Sequence, residues 1–253
     1  MSPPETLREE PLGPGILRWV IDNPARRNAI APDVFEWIAE RSTTLRGEVV
    51  LIRGAGDRVF SAGFDLKALA EQVGSPSTLA PDRPLIAATA AMQDADATFV
   101  AVINGAVIGA GVELISACDL RLARHGASLR VPAGRLGVVY HAAGLTRIHA
   151  AFGPTVTKRL FLVGDEVAIA DARESLCALV ELEQLDDEAL ALAERIAGLA
   201  ARSVAGNRRL LRALDRARTL PADLLEAHEL ARSEAYSSLN PPTPVPSPAR
   251  SPR

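Results

Sequence analysis

Residues 102–114 read Val-Ile-Asn-Gly-Ala-Val-Ile-Gly-Ala-Gly-Val-Glu-Leu and join an apolar strand to a helix through a turn of small residues. The first backbone N–H groups of a helix have no partner inside the helix and carry the positive end of its dipole. Small residues let a ligand oxygen approach these groups closely. On this stretch alone, two interpretations of Glu113 stay open. It is either a partly buried acid or base that titrates near neutral pH, or a carboxylate that only stabilises the first turn of a packed helix.

A second turn of the same kind occupies residues 59–67, which read Val-Phe-Ser-Ala-Gly-Phe-Asp-Leu-Lys. Small residues again precede a predicted helix, here over residues 66–72. Asp65 stands at the N-cap position, where a carboxylate accepts hydrogen bonds from the first free amides of a helix. Taken alone, this segment indicates an ordinary capped helix.

Short apolar strands alternate with longer helical patterns on both sides of these turns. Strands are predicted at residues 16–21, 49–52, 99–103 and 120–123, and helices at residues 32–46, 84–93, 111–118, 155–163, 168–176, 186–201, 204–218 and 221–236. Wholly apolar strands separated by helices indicate a sheet that is covered on both faces. The fold class is therefore α/β, with an α-helical part towards the C-terminus.

The two ends of the chain differ from its middle. Residues 1–13 have no hydrophobic period and two prolines near their start, so we expect them to be disordered. Residues 14–200 are predicted to form the α/β domain, and residues 201–239 a C-terminal helical section. The tail, residues 240–253, is rich in proline, which blocks helix and ladder hydrogen bonds, and is predicted to be disordered or extended.

Composition excludes several classes of protein. The chain has 253 residues, of which 48% are hydrophobic and 23% charged, with a formal net charge of -3; these values exclude a wholly disordered or collagen-like chain. Few aromatic residues and a mildly acidic balance argue against a nucleic-acid surface. No apolar run approaches the roughly 18 residues of a membrane helix, and no secretory signal is evident. We therefore expect a cytoplasmic protein with no membrane or nucleic-acid partner.

The residues that commonly hold metals or cofactors do not form a recognisable set. Cys118 and Cys177 lie in apolar surroundings and provide neither a disulfide framework nor a metal-binding pair. The histidines do not match the spacing HExxH, and neither GxGxxG nor GxxxxGK[ST] occurs. We expect no metal site.

Together, the two turns resemble the signatures of the enoyl-CoA hydratase/isomerase family, also called the crotonase family. Residues 60–66 resemble F-[CS]-A-G-x-D-[LI], and residues 104–114 resemble N-G-x-x-x-G-[GA]-G-x-E-L. The resemblance covers most of the chain, from residue 15 to residue 235. It implies a crotonase-like ββα spiral core followed by a C-terminal α-helical section. It also implies an acyl-CoA or acyl-carrier-protein thioester as substrate, no cofactor beyond the coenzyme A of that substrate, and a homotrimer or hexamer.

The same resemblance implies specific site residues. The backbone N–H groups of Phe64 and Ala110 would stabilise a thioester oxyanion, and preorganised donors of this kind typically contribute a few kcal/mol each. Glu113 would be the main acid or base, so the resemblance reverses the purely structural interpretation. The residues implied to contact the CoA or acyl part are Ala25, Arg26, Arg27, Ala62, Asp65, Leu66, Gly109 and Ala133. For the two arginines, phosphate binding and plain solvent exposure remain equally open.

One position departs from the hydratase pattern. Hydratases of this family use a second glutamate in a segment like P-E-x-x-x-G, whereas residues 132–137 read Pro-Ala-Gly-Arg-Leu-Gly. A methyl group cannot transfer a proton, so Ala133 argues against two-carboxylate hydration. Tyr140 and His141 are candidate polar contacts to the acyl group. Tyr140 resembles a tyrosine that orients the leaving carboxylate in methylmalonyl-CoA decarboxylase-like enzymes, and it is otherwise a pocket wall. His141 is a candidate proton donor, although a surface loop position is the more favoured interpretation.

Hydration, dehydration or isomerisation of an enoyl thioester, with Glu113 as acid or base, is therefore predicted first by a narrow margin. Decarboxylation of a methylmalonyl-CoA-type or glutaconyl-CoA-type thioester, using Tyr140 and His141, is the chemical alternative. A third possibility of another class is a non-catalytic acyl-CoA-binding protein that kept the fold.

Overall fold

The computed structural model describes residues 2–65, 82–216 and 220–238. Three of the sequence predictions fall outside these ranges: Leu66 as a contact residue, the helix over residues 66–72, and the tail from residue 240. The other predictions can be compared with the structure directly.

Within the described ranges, the strands form two sheets of different size. The larger sheet has the order β1-β2-β3-β5-β7-β10 and the smaller one β4-β6-β8-β9. The β1–β2 and β8–β9 pairs are antiparallel and the other pairs are parallel. The strands are β1 (Leu7–Gly13), β2 (Ile16–Ile21), β3 (Arg46–Gly54), β4 (Val59–Ser61), β5 (Asp96–Ile103), β6 (Ala106–Ile108), β7 (Leu120–Arg124), β8 (Ser128–Arg130), β9 (Glu166–Ala168) and β10 (Ala178–Val180).

Helices connect the strands and make up the C-terminal part of the described chain. They are α1 (Pro32–Thr44), α2 (Arg83–Asp94), α3 (Ala110–Ala117), α4 (Ala133–Leu136), α5 (Ala142–Lys158), α6 (Leu182–Ala197), α7 (Ala201–Arg216) and α8 (Ala222–Ser238). Short 3-10 turns occupy Pro24–Arg26 and Ile169–Ser175, and a π-helical turn, Arg159–Val163, extends α5. None of the described helices combines the length and apolar character needed to cross a membrane.

The larger sheet is covered on both faces because alternate residues of its strands enter two different hydrophobic clusters. In β3, Val50 and Ile52 belong to the main core, while Val49 and Leu51 belong to a second cluster. Successive side chains of a strand point to opposite faces, so this division is the expected result of a strand buried on both sides. Residues of α1, α2 and α3 complete the main core, and α6 supplies the second cluster. The predicted α/β fold class is confirmed.

The predicted disorder of residues 1–13 is wrong for Leu7–Gly13, which form β1 at the edge of the larger sheet. β1 pairs antiparallel with β2, with Leu7 opposite Ile21. Because several of its side chains are charged, a hydrophobicity pattern does not reveal this strand. In the folded sheet these side chains have partners on a neighbouring strand: Glu9 accepts a hydrogen bond from Trp19 Nε1 at 2.8 Å, and Arg18 pairs with Glu10. Charged residues are typical of edge strands, where they prevent further pairing.

Candidate active site

The turn that precedes Glu113 joins β6 to α3 through Gly109. Gly109 has φ 54° and ψ -117°, and its N–H donates to the carbonyl of Arg130 at 2.8 Å, which ties the turn to β8. Ala110 is the first residue of α3, so its N–H has no acceptor inside the helix. The turn therefore holds the start of α3 in a fixed position with a free amide.

The second turn lies directly against the first. Ser61 of β4 pairs with Val107 of β6, and Ser61 Oγ accepts the N–H of Gly63 at 3.0 Å. Gly63 has φ 89°, and a Cβ built on it would lie 2.8 Å from the carbonyl oxygen of Ile108 and 3.3 Å from the nitrogen of Ala110. Only glycine suits this backbone conformation and this close approach. The structure thus brings together the two turns, although they are far apart in the sequence.

The N–H of Phe64 points away from the neighbouring segment around Ile30. Ile30 forms a bridge with Phe64 in which Ile30 N–H donates to Gly63 O at 2.7 Å and Asp65 N–H donates to Ile30 O at 2.9 Å. Phe64 N–H takes no part in these bonds. Among the described residues, neither the Phe64 nor the Ala110 amide donates a hydrogen bond. Two free amides on adjacent turns are the kind of donors that stabilise a carbonyl oxygen carrying negative charge.

Three of the residues predicted to contact CoA form an exposed turn beside the second glycine turn. Ala25, Arg26 and Arg27 are exposed, and the carbonyl of Arg27 accepts the N–H of Ala62 at 3.0 Å. Arg26 Nη1 donates to Asp65 Oδ1 at 2.6 Å. The 3-10 turn is therefore held against the second turn by one backbone hydrogen bond and one ion pair.

Glu113 is fully buried, with 0% of its surface exposed, and both of its carboxylate oxygens have partners. Oε1 accepts a hydrogen bond from Arg147 Nη1 at 2.6 Å, and Thr89 Oγ1 lies 3.5 Å from the same oxygen. Oε2 lies 3.0 Å from His141 Nε2. Arg147 and His141 both come from the first half of α5 or its N-cap, so the carboxylate connects α3 to α5.

The hydrogen bonds of His141 define its tautomer. Its Nδ1 accepts the N–H of Gly144 at 3.1 Å and therefore carries a lone pair rather than a proton. The ring proton of the neutral imidazole is then on Nε2, where it is donated to Glu113. The favoured prediction of a surface loop position is wrong, because only 3% of His141 is exposed. Both ring nitrogens are occupied by protein partners, so neither offers a proton to a substrate in this arrangement.

The pKa of Glu113 lies below its ordinary value. Burial is the largest influence and by itself raises the pKa, but the hydrogen bond from His141 and the positive charge of Arg147 outweigh it. The role of Glu113 as a general acid or base stays a prediction. Glu113 is a carboxylate at neutral pH.

Tyr140 brings a hydroxyl group to the same cluster. Its ring stacks on His141 with centroids 5.3 Å apart and lies edge-on to Phe161 at 5.1 Å. Burial and the nearby Glu113 carboxylate raise its pKa well above the ordinary value, so the hydroxyl keeps its proton. Tyr140 Oη is buried and has no hydrogen-bond partner among the described residues. Buried hydroxyl groups normally have a partner, and the protein group that interacts most closely with this one is the Glu113 carboxylate.

Ala133 is the first residue of α4 and is buried. Its side chain is a methyl group, which cannot transfer a proton as the second carboxylate of the hydratase pattern does.

Gly144 and Arg147 are the site residues that the sequence analysis missed. A Cβ on Gly144 would lie 2.7 Å from Glu113 Oε2 and 2.7 Å from Tyr140 Cε1, so the cluster closes only around a glycine. Between residues 118 and 155 the sequence predicts no helix, whereas α5 begins at Ala142. A signal was present nevertheless: Arg147 lies beside Ile148 on the buried stripe of an amphipathic helix. A buried arginine needs a buried acid, and Glu113 lies in the most apolar helix of the sequence.

A cavity of about 1640 Å³ lies between α2, α5, α7 and α8. His141 and Arg147 form part of its wall, whereas Phe64 and Ala110 do not. In the part of the chain that the structure describes, no cluster of side chains has the composition of a metal site.

Fold and site together define a class of α/β proteins in which two glycine-containing turns present backbone amides beside a buried carboxylate. The model of the family "Enoyl-CoA hydratase/isomerase" matches residues 13–233, and the chain belongs to this family. The resemblance found in the sequence is confirmed.

Known proteins with related sequences and structures carry different activities. A carnitinyl-CoA dehydratase of Proteus mirabilis (strain HI4320) is 30% identical over 228 residues, which are 86% of this chain and 83% of the relative. A methylmalonyl-CoA decarboxylase in complex with 2S-carboxypropyl-CoA has a TM-score of 0.83 at 25% identity, covering 94% of this chain and 92% of that structure. A monofunctional enoyl-CoA isomerase from M. smegmatis has a TM-score of 0.70 at 26% identity, covering 89% and 99% of the two chains.

Proposed function

We propose that the protein is an enzyme that converts an acyl-CoA thioester through an enolate, and that the N–H groups of Phe64 and Ala110 hold the enolate oxygen. The observation that carries this proposal is the contact between the two turns, in which Gly63 approaches the nitrogen of Ala110 while both amides lack an acceptor within the described chain. Fixed donors of this kind stabilise a developing oxyanion without reorganisation, and removing one typically costs a factor of about 10² to 10³ in rate.

The reaction that the geometry supports best is decarboxylation of a 2-carboxyacyl thioester of the malonyl type. In this reaction the bond between C2 and the carboxylate breaks, its electron pair forms the enolate, carbon dioxide leaves, and C2 then takes up a proton. The step that breaks the bond needs an oxyanion hole and no base. This suits a site in which Glu113 is an ion-paired carboxylate and position 133 is alanine. The unpartnered hydroxyl of Tyr140 is the group we assign to the substrate carboxylate.

Dehydration, hydration or isomerisation of an enoyl thioester is the second candidate. It is favoured by the position of Glu113 one helical turn after Ala110, which keeps a carboxylate close to the carbon atoms next to the thioester. The carnitinyl-CoA dehydratase relative also favours it. For this chemistry the carboxylate of Glu113 must accept a proton during turnover although Arg147 and His141 already bind both of its oxygens.

A screen of thioesters by mass spectrometry distinguishes the two reactions. The panel contains 2-carboxyacyl, enoyl and 3-hydroxyacyl thioesters, each offered on CoA and on an acyl carrier protein. We expect loss of carbon dioxide from a 2-carboxyacyl-CoA; gain or loss of water would favour the second candidate. Isomerisation leaves the mass unchanged and is detected by chromatography of the same samples as a shifted double bond. Binding of CoA thioesters with neither a mass change nor a shifted double bond across the panel would contradict both candidates and indicate a non-catalytic acyl-CoA-binding protein.

For the CoA part, we propose that Arg26 or Arg27 binds phosphate and that the backbone near Ala62 and Asp65 lines the same groove. The exposed 3-10 turn and its link to the second turn support this assignment. We also propose a homotrimer or hexamer. Exposed leucines on α7 and α8, among them Leu211 and Leu230 at 62% each, support an assembly that covers these helices. Light scattering would contradict this if it gave the mass of a single 26.8 kDa chain.

A further inference from the structure

The guanidinium group of Arg147 is a buried charge in the site that the proposed reaction does not yet use. Only 9% of the residue is exposed, and its Nη1 donates to Glu113 Oε1 at 2.6 Å. Its Nε has no hydrogen-bond partner among the described residues. A buried charge is tolerated only beside an opposite charge, so Arg147 requires Glu113 to be ionised.

The ionised state of Glu113 in turn determines the state of His141. The carboxylate accepts the Nε2 proton of His141, while the N–H of Gly144 points at Nδ1. If Glu113 were protonated, its hydroxyl group would face an N–H donor, and the imidazole would have to move its proton to Nδ1. That nitrogen already faces the N–H of Gly144. A carboxylate at position 113 is therefore the state that keeps this ring in place, and the ring of Tyr140 stacks on it.

We propose that Arg147 is a positioning residue of the active site. It holds Glu113 as a fixed carboxylate and, through that carboxylate, orients the rings of His141 and Tyr140. The role in turnover rests on the proposed function, whereas the ionisation of Glu113 and the tautomer of His141 can be measured without a substrate.

The surroundings of Glu113 contain few groups that could substitute for Arg147. The described groups that face the carboxylate are Thr89 of α2, which is neutral, and Tyr140, His141 and Arg147 of the α5 region. Arg212 of α7 also acts on Arg147, but as a like charge. Removing the guanidinium group therefore leaves Glu113 without its cationic hydrogen-bond donor.

Carbon-13 NMR of the glutamate carboxyl groups, with Glu113→Gln for assignment, tests the ionisation directly. We expect the Glu113 signal of the wild-type protein to remain that of a carboxylate from about pH 8 to about pH 5. In Arg147→Gln the pKa should rise, because the guanidinium charge no longer acts with His141 to offset burial. Arg147→Lys should retain the wild-type behaviour. Nitrogen-15 spectra of the four histidines should show the single Nε2–H tautomer of His141 in the wild type and its loss in Arg147→Gln.

Arg159→Gln is the matched control, since Arg159 is a half-exposed arginine that pairs with Asp165 and Asp171; it should leave both spectra unchanged. A folded Arg147→Gln variant with wild-type titration of Glu113 would overturn the proposal. If Arg147→Gln does not fold, the double variant with Glu113→Gln decides. Recovery of folding supports the proposal, because Arg147 then matters through the carboxylate. Failure of both variants contradicts it, because Arg147 then acts by filling space.

Turnover provides the second arm of the test. Arg147 borders the cavity of about 1640 Å³, which gives a small cation access to the space that Arg147→Ala leaves. We expect this variant to lose about tenfold to a hundredfold in kcat with KM nearly unchanged, because misplaced groups reduce rate more than binding. Added methylguanidinium should restore part of kcat. An unchanged kcat, or a loss confined to KM, would contradict the positioning role. Absence of any wild-type turnover would refute the proposed function and leave the NMR result to stand by itself.

Discussion

The candidate active site has a backbone half and a side-chain half, and the two depend on the sequence in different ways. The backbone half consists of two amides, those of Phe64 and Ala110, which glycines bring together. The side-chain half consists of Glu113, His141 and Arg147, which hydrogen bonds across two helices hold in place. In the backbone half, main-chain atoms form the site, so different side chains are compatible with it. In the second half every member depends on the charge or proton of another.

Glu113→Gln removes the carboxylate charge on which the side-chain half depends and should have the largest effect on stability. It leaves the guanidinium of Arg147 buried without a counter-charge, and breaking a buried pair in this way typically costs about 3 to 5 kcal/mol. Urea unfolding at pH 7 measures the loss. The exposed Asp171→Asn, which loosens a surface pair with Arg159, is the control and should change stability by less than about 1 kcal/mol.

The difference in stability between the wild type and Glu113→Gln should depend on pH, and the sign of this dependence follows from the pKa of Glu113. The pKa of Glu113 is lower in the folded protein than in the unfolded chain, so the carboxylate stabilises the fold above its unfolded pKa. That contribution is lost as the pH falls through the folded pKa. The stabilities of the wild type and Glu113→Gln should therefore differ most at neutral pH and converge under acid conditions. A difference that stays constant down to about pH 3 would contradict an ionised Glu113.

Gly63→Ala tests the backbone half and should have the largest effect on activity. The new Cβ would lie 2.8 Å from the carbonyl oxygen of Ile108, so the two turns must move apart. Loss of one oxyanion-hole donor typically lowers kcat by about 10² to 10³. Gly56→Ala is the matched control, because Gly56 has φ 74° and open space around it. Both variants should lose stability from backbone strain, Gly63→Ala more because of its clash, and only Gly63→Ala should lose activity on the same thioester.

The backbone half could be predicted from the sequence because its information is local. The spacing of Gly63, Gly109 and Gly111 specifies the turns, and apolar strands on either side specify the sheets that hold them. β1 could not be predicted in this way, since its charged residues follow no hydrophobic pattern and find partners only in the folded sheet. The helix over residues 66–72 lies outside the described residues.

The side-chain half could be predicted only in part. Glu113, Tyr140 and His141 were candidates because of the family resemblance, but their environment was not predicted. The lowered pKa of Glu113 results from His141 and Arg147 together, and the contact between α3 and α5 that brings these groups to the carboxylate has no counterpart in either signature. Opposite charges on two apolar helices provided the only sequence signal for it.

Gly144→Ala tests the packing of the side-chain half separately from its charges, because it adds a methyl group and removes no charge. A Cβ at this position would lie 2.7 Å from both Glu113 Oε2 and Tyr140 Cε1. Overpacking of this kind typically costs about 1 to 3 kcal/mol. Gly134→Ala, in the short helix α4 with no atom within 4 Å of its new Cβ, is the control. Thermal unfolding should separate the two variants, and equal melting temperatures would mean that the cluster is looser than its distances indicate.

Tyr140→Phe removes a hydroxyl group that has no partner among the described residues. Stability should change by less than about 1 kcal/mol, because no protein hydrogen bond is lost. If the hydroxyl binds the substrate carboxylate, kcat/KM for a 2-carboxyacyl thioester should fall about tenfold, the equivalent of roughly 1.4 kcal/mol. Tyr236→Phe, the change at the other tyrosine of the chain, is the control. An undiminished rate in Tyr140→Phe would remove the main support for decarboxylation and favour the second candidate.

Arg26→Gln should have the smallest effect, because it concerns a contact at the rim of the backbone half. Arg26 is 40% exposed at its side chain and pairs with Asp65 at 2.6 Å, and exposed pairs of this kind contribute about 0 to 1 kcal/mol to stability. If the arginine also binds a phosphate of CoA, KM for the thioester should rise several-fold while kcat stays unchanged, since binding far from the reacting carbon is the same in the ground and transition states. The increase should disappear at high salt, which screens the contact in the wild type as well. A fall in kcat would instead mean that the 3-10 turn containing Arg26 positions the amide of Phe64. That turn would then be part of the backbone half.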